Sequence, residues 1–365
     1  MGRPRGHDHR SGGPDGHARF EGHGQEEAKV SELNAYIRRL VDIPSVSGGE
    51  GDVARFLEKD LANRGFSVRL QEVGADRFNV HAVNNDATPR LIFNTHIDTV
   101  PPFYESSEDD AYIYGRGSCD AKGILACMVL ATMALREEGI REIGMLFVVG
   151  EEVDSAGALV ANKGDWKSEH VVVGEPTENR MASGHKGGLK FRLKASGKAA
   201  HSAYPQLGES AIAYLLDALS DIRAEDWGTS DLLGPATLNV GTIKGGLAAN
   251  VFAPEAESDV FIRVVGNVND VKEKLEKILT KHTKLTYEVI ASADAVTCKT
   301  VDGFDLAPVS FGTDIPALTN LGKPLLLGPG SIHDAHTNAE KIGKEEARDA
   351  VKYYQRLARK LLDEP

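Results

Sequence analysis

Three pieces of one stretch decide the fold: LIFNTHIDTV (91–100), GILACMVLATMALRE (123–137) and MLFVVGEE (145–152). The first and third are short apolar runs with little polar alternation. Such runs mark strands covered on both faces, as in a parallel sheet. The segment between them is rich in Ala, Leu and Met, which are good helix formers. Strand, helix and strand in that order predict a parallel sheet flanked by helices.

The pattern continues outward. Upstream, Val53, Phe56, Leu57 and Leu61 fall at helical spacing and stop at Gly65, ahead of strands expected over Ser67–Val73 and Asn79–Val83. Downstream come a short helix near Ala156–Asn162 and a strand over Val171–Val173. Near Asn179 the character changes. Leu189–Lys194 alternates, as a half-exposed strand does. A helix is expected over Glu209–Leu219, strands over Thr237–Ile243 and Ala256–Val264, a helix over Val271–Leu279 and a strand over Thr286–Ile290. That βαββαβ-like order predicts a small α+β unit with helices on one face of an antiparallel sheet. The first pattern then returns, with a strand over Pro324–Leu327 and a helix over Lys344–Leu362. The expected organisation is one α/β domain, 29–178 and 292–365, interrupted by an inserted domain, 179–291. Residues 1–28 are rich in Gly, Arg and His and almost free of apolar side chains, so a disordered tail is expected there. His7, His9, His17 and His23 in that tail are read as solvated. The tail lacks the apolar run of a signal peptide and a myristoylation signal.

Composition narrows the function. The chain has 365 residues, enough for about two domains and a sizeable core. Its 54 acidic and 42 basic side chains give a net charge of −12, which opposes binding to nucleic acid or an anionic membrane. Nothing approaches the roughly 18 consecutive apolar residues of a membrane span. Three cysteines, Cys119, Cys127 and Cys298, make no disulfide framework, so a reduced, cytoplasmic setting is expected.

Five segments carry the chemistry: THIDTV with His96 and Asp98, GRGSCDAKG with Asp120, VVGEEVDS with Glu151 and Glu152, VVVGEPT with Glu175, and GPGSIHDAHT with His336. Four follow predicted strands, and the crevice beyond strand carboxyl ends is where open α/β sheets bind ligands. Imidazole and carboxylate together suit zinc or a similar divalent ion. His96 and Asp98 are two apart and share one side of a regular strand, so Asp98 could fix the imidazole's tautomer. Glu151 and Glu152 point opposite ways if extended. One could bind metal while the other faces water.

Together HIDTVP, the GRG-x-x-DAKG loop, the GEE pair, the GEPT turn and GPGSI-x-x-AH resemble the di-zinc amidohydrolases that include acetylornithine deacetylase, succinyl-diaminopimelate desuccinylase, aminoacylase and the glutamate carboxypeptidases. The resemblance implies a zinc-exopeptidase-like catalytic domain with a ferredoxin-like lid and dimerisation domain. It implies two divalent ions, zinc or cobalt, about 3.5 Å apart and bridged by Asp120. His96 and Glu175 would complete one site, and Glu152 and His336 the other. Glu151 would be the general base. His201, in GKAAHSAYP, would reach the neighbouring subunit's site in a homodimer, and Asn250 would touch substrate from the lid. Lys186, Arg263 and Thr313 resemble the family's carboxylate-binding positions. His333 is the alternative ligand beside His336. Cys119 is read as packing and His185 as structural or peripheral to substrate. The leading expectation is hydrolysis of an N-acyl amino acid, as in acetylornithine or acetyl-lysine deacetylation. The alternatives are a metallo-exopeptidase, dipeptidase or desuccinylase using the same site, and last a non-catalytic metal-binding scaffold.

Overall fold

The computed structural model of the protein describes residues 2, 30–84 and 88–363. The expected tail, with His7, His9, His17 and His23, lies outside the described residues apart from Gly2.

A six-stranded sheet forms the centre, in the order Ser67–Gly74, Arg77–Val83, Ile143–Val148, Leu91–His96, His170–Val173, Lys323–Leu326. The last four run parallel; Arg77–Val83 pairs antiparallel with Ile143–Val148, and Ser67–Gly74 folds back onto it. The lack of alternation now has its cause. Leu91, Phe93, Met145, Phe147, Val172 and Leu325 pack into the core on one face. Ile92, Leu146, Val148, Val171, Val173 and Leu326 pack into a second core on the other. Both faces are dry, so successive positions must all be apolar. The first face is covered by helices 30–41, Gly51–Asn63, Lys122–Glu137 and Lys344–Leu362. Full burial of side chains such as Phe93 and Phe147 stabilises the sheet by roughly 1.5–3 kcal/mol each.

The inserted segment builds a four-stranded antiparallel sheet in the order Thr237–Gly245, Glu255–Val264, Gly187–Ser196, Leu285–Ala293. Leu189, Phe191, Leu193, Val260, Ile262 and Val264 face a separate core with helices Ala211–Ala224 and Val268–Leu279. The opposite face is polar, with Arg192 paired to Asp259 at 2.6 Å. One-sided burial is what the alternation of Leu189–Lys194 records.

One element departs from expectation. Met181–His185 pairs with Val296–Thr297 and Leu306–Val309 rather than with the four-stranded sheet. Ala182 and Cys298 pack in the core beneath the central sheet. The expected start of the insertion at 179 therefore falls several residues before the four-stranded sheet begins.

His81 ties the second strand of the central sheet, Arg77–Val83, to Trp166. Their rings stack with centroids 4.0 Å apart and planes 19° off parallel. Burial, and then the charge of Arg69, pull the His81 imidazole down to about 4. The folded state thus binds this proton less readily than the unfolded chain. Stability is fully present above the unfolded value near 6.5 and is lost as pH falls toward 4. His81→Leu should remove up to about 3 kcal/mol of acid sensitivity over that window. Urea unfolding at pH 7 and pH 4.5 checks it; equal losses in both proteins would contradict it.

Candidate active site

The strands deliver the predicted segments to one end of the central sheet. His96 closes Leu91–His96, the Glu pair follows Ile143–Val148, and Glu175 lies just beyond His170–Val173. Asp120 arrives from the loop that opens helix Lys122–Glu137. The loops carrying Glu175 and His336 are laced together. The amides of Thr177 and Asn179 donate to the Gly328 carbonyl at 3.2 and 2.8 Å, and the amide of Glu178 donates to that of Gly330 at 2.8 Å. A Cβ on Gly328 would lie 2.5 Å from the Glu175 carbonyl oxygen, so only glycine allows this approach.

Ligand atoms of His96, Asp120 and Glu152 all lie within 4.8 Å of one another. His96 Nε2 is 2.9 Å from Asp120 Oδ1. His336 Nε2 is 3.4 Å from Asp120 Oδ2 and 3.0 Å from Glu152. The two imidazoles thus address different oxygens of one carboxylate. A carboxylate shared between two cations needs that arrangement. Glu175 is buried and feels the charges of Glu151 and Asp120, which add to burial in pushing its carboxyl well above the usual range. Burial does the same to Glu151; His96 opposes it, and Asp314, Glu152 and Asp120 reinforce it. So many carboxylates beside two imidazoles are costly unless cations neutralise them. The donor set therefore fits divalent metal ions.

The local geometry corrects two expectations. The strand ends at His96, so Asp98 is not its continuation. The nearest partner of His96 Nδ1 is the Asp98 carbonyl oxygen at 2.9 Å, with the carboxylate at 3.5 Å. That carboxylate accepts the hydroxyl of Ser47 at 2.7 Å and the amides of Glu151 and Glu152 at 3.1 and 3.3 Å. Asp98 therefore fixes the Glu pair as well as the imidazole. Nor is the pair extended. Gly150 has φ 80, and residues 151–154 form a turn.

Glu340 is the site residue that sequence reading missed. Its Oε1 accepts the amides of Gly117, Cys119 and Asp120 at 2.9, 3.2 and 3.1 Å. Its other oxygen accepts the Arg116 guanidinium at 2.5 Å, with both side chains 1% exposed. The Asp120 loop is thus wrapped around one carboxylate. Glu340→Gln leaves Arg116 buried without a counter-charge and should cost about 3–5 kcal/mol. Chemical denaturation checks this; a loss below about 1 kcal/mol would contradict it. Asp314 was also missed. It is buried near Asp98 and Asp154, and burial pushes its carboxyl up to about 6.

Thr313 is buried, with Oγ1 3.2 Å from His185 Nε2 and accepting the amide of Ile315 at 3.1 Å. Lys186 is committed elsewhere, its ammonium donating to the Pro235 carbonyl at 2.6 Å. Arg263 is half-buried over the Phe261 ring, 4.4 Å from its centroid, and feels the charge of Glu151. His201 and Asn250 are exposed beside the small sheet. Ser202 donates to the Asn250 carbonyl at 2.9 Å, and His201 Nδ1 accepts the amide of Ala203 at 3.1 Å. His333 is exposed, whereas His336 meets the cluster. Cys119 is buried, and its thiol donates to the Ser331 carbonyl at 3.4 Å.

The model of peptidase family M20/M25/M40 matches residues 92–360. The chain belongs to that family. It is a metal-dependent hydrolase of amide or peptide bonds. It is similar to a peptidase M20 domain-containing protein of Schizosaccharomyces pombe, 39% identical over 88% of this chain and 82% of that one. A probable carboxypeptidase of Aspergillus clavatus is 36% identical, over 91% and 89%. Among solved structures, a tripeptidase from Staphylococcus aureus shares the fold with a TM-score of 0.77 at 22% identity, covering 90% of this chain and 99% of that one. Among the described residues, no helix is long and apolar enough to cross a membrane.

Proposed function

We propose that this protein is a carboxypeptidase-type metallo-exopeptidase that releases the carboxy-terminal residue of a small peptide. The observation that carries the reading is the pair of imidazoles on opposite oxygens of Asp120, with half-buried Glu151 feeling the charges of His96, Glu152 and Asp120 beside it. Asp120 would be shared between two divalent ions, zinc or cobalt. His96 and Glu175 would complete one site; Glu152 and His336 would complete the other. Bound there, the ions would lower the pKa of water and polarise the scissile carbonyl. Glu151 takes the proton from the attacking water. The water oxygen bonds to the carbonyl carbon, the C–N bond breaks, and Glu151 returns the proton to the leaving nitrogen. Asp98 holds the Glu151 amide and keeps the base on station. Arg263 receives the substrate's carboxylate.

The sequence alone favours acetylornithine or acetyl-lysine deacetylation. That reading uses the same site and differs only in the acyl part. The peptide reading is preferred because relatives such as the Aspergillus clavatus protein are named as probable carboxypeptidases. The scaffold reading is set aside.

We also propose a homodimer in which the partner's lid completes the site. Exposed His201 and Asn250 support it, as do exposed Ile243 and Leu247 on the neighbouring strand and loop. Sedimentation should show two chains; an active monomer would contradict it. Three buried, unpaired cysteines accord with a cytoplasmic setting.

The test is a comparison of acylated dipeptides, N-acetyl amino acids and the matching carboxy-terminal amides, with zinc or cobalt supplied. Free carboxylates should be cleaved at least about tenfold faster than amides, because the amide leaves Arg263 unpaired. Equal cleavage of the amides, or no cleavage by metal-loaded protein, would refute the reading.

A further inference from the structure

We propose that the cavity next to the ligand cluster is a specificity pocket for an apolar carboxy-terminal side chain, and that it rejects lysine and ornithine. This inference rests on the exopeptidase reading above. The cavity is an open cleft of about 390 Å³. It begins where the ligand segments end. Pro176 and Thr177 follow Glu175 directly, Ile332 lies four residues before His336, and all three line the cavity. Arg263 links the two, since it lines the cavity and feels the charge of Glu151; a substrate whose scissile bond meets the cluster would extend its terminal residue into this space.

The walls decide what fits. Pro308, Val309, Phe311 and Ile332 offer apolar surface, and Ile332 is 37% exposed with room to be covered. Arg263 also lines the cavity, lying over the Phe261 ring and feeling the charge of Glu151. It is placed to hold the terminal carboxylate while the side chain lies on the apolar wall.

A basic side chain has no partner here. Among the described residues the one carboxylate lining the cavity, Glu178, is already used. Arg180 donates to its Oε2 at 2.8 Å, and the Ser331 hydroxyl donates to its Oε1 at 3.0 Å. An ammonium would lose part of its water against Phe311 and Ile332, beside the positive charge of Arg263, and gain no ion pair in return. An apolar side chain of similar length gains by burial.

The test is kcat/KM of the metal-loaded protein for an acyl-glycyl-X series with X as Leu, Met, Phe, Orn, Lys or Asp. Leu, Met and Phe should exceed Orn and Lys by about tenfold to a hundredfold. Ile332→Asp should cut that ratio by at least tenfold by supplying a free carboxylate. Phe311→Ala provides a second variant and should lower turnover of X as Leu or Phe more than of X as Orn. Turnover with Orn or Lys equal to or above Leu overturns the proposal, as does a ratio unmoved in both variants. In those cases the exopeptidase reading survives. Absence of turnover for every X defeats that reading, and this inference with it.

Discussion

Glu151→Gln is expected to abolish nearly all hydrolysis while leaving the fold and the metal content unchanged. Glutamine has the same shape, and its backbone amide still donates to Asp98. It cannot accept a proton. Loss of a positioned general base costs on the order of 10²–10⁴ in rate, and here the same group also protonates the leaving nitrogen. The fold should not suffer. Burial pushes the Glu151 carboxyl of the metal-free protein well above the usual range, so a neutral amide relieves the site there. Thermal unfolding of chelator-treated protein should therefore occur at the same temperature or slightly higher. A variant that keeps activity within tenfold of the parent would remove Glu151 from the mechanism.

Asp120→Ala has the second-largest expected effect. One oxygen of Asp120 faces His96 and the other faces His336, so a single substitution strips a ligand from both proposed ion sites. In the parent protein, an ion that binds only the folded state at a thousand times its Kd stabilises by about 4 kcal/mol. Adding zinc to chelator-treated parent should raise the unfolding temperature by several degrees. The variant should show no such rise and no activity. Elemental analysis should find about two ions per chain in the parent, fewer than one in the variant. A variant that still holds two ions would show that Asp120 is not the shared ligand.

Most of the architecture was readable because burial leaves a direct trace in sequence. Strands dry on both faces, such as Leu91–His96 and Ile143–Val148, show as unbroken apolar runs. Gly187–Ser196, dry on one face, shows as alternation. Met181–His185 left no such trace. Its sequence, MASGH, has no β-branched residue, and its pairing comes from partners more than a hundred positions downstream. Leu306–Val309 was hidden by Pro308, which suits an edge strand but argues against one in a sequence.

The site was legible in its residue types and not in its supports. His96, Asp120, Glu152 and His336 do converge, because strand ends and adjoining loops bring distant motifs to one crevice. The turn at 151–154 was not foreseen, since the positive φ of Gly150 and the pull of Asp98 on two amides are tertiary facts. Glu340, in TNAEKIG, has no local signal of its role in the sequence. Only the fold sets it beneath the Asp120 loop, where Arg116 and three amides make burial of its charge tolerable.

The most direct measurement is anomalous diffraction from crystals grown with zinc, collected on both sides of the metal's absorption edge. Two peaks should flank the Asp120 carboxylate, one toward His96 and Glu175 and one toward Glu152 and His336. Zinc bound only at other positions, with nothing beside Asp120, would contradict the metal centre and the catalytic chemistry derived from it.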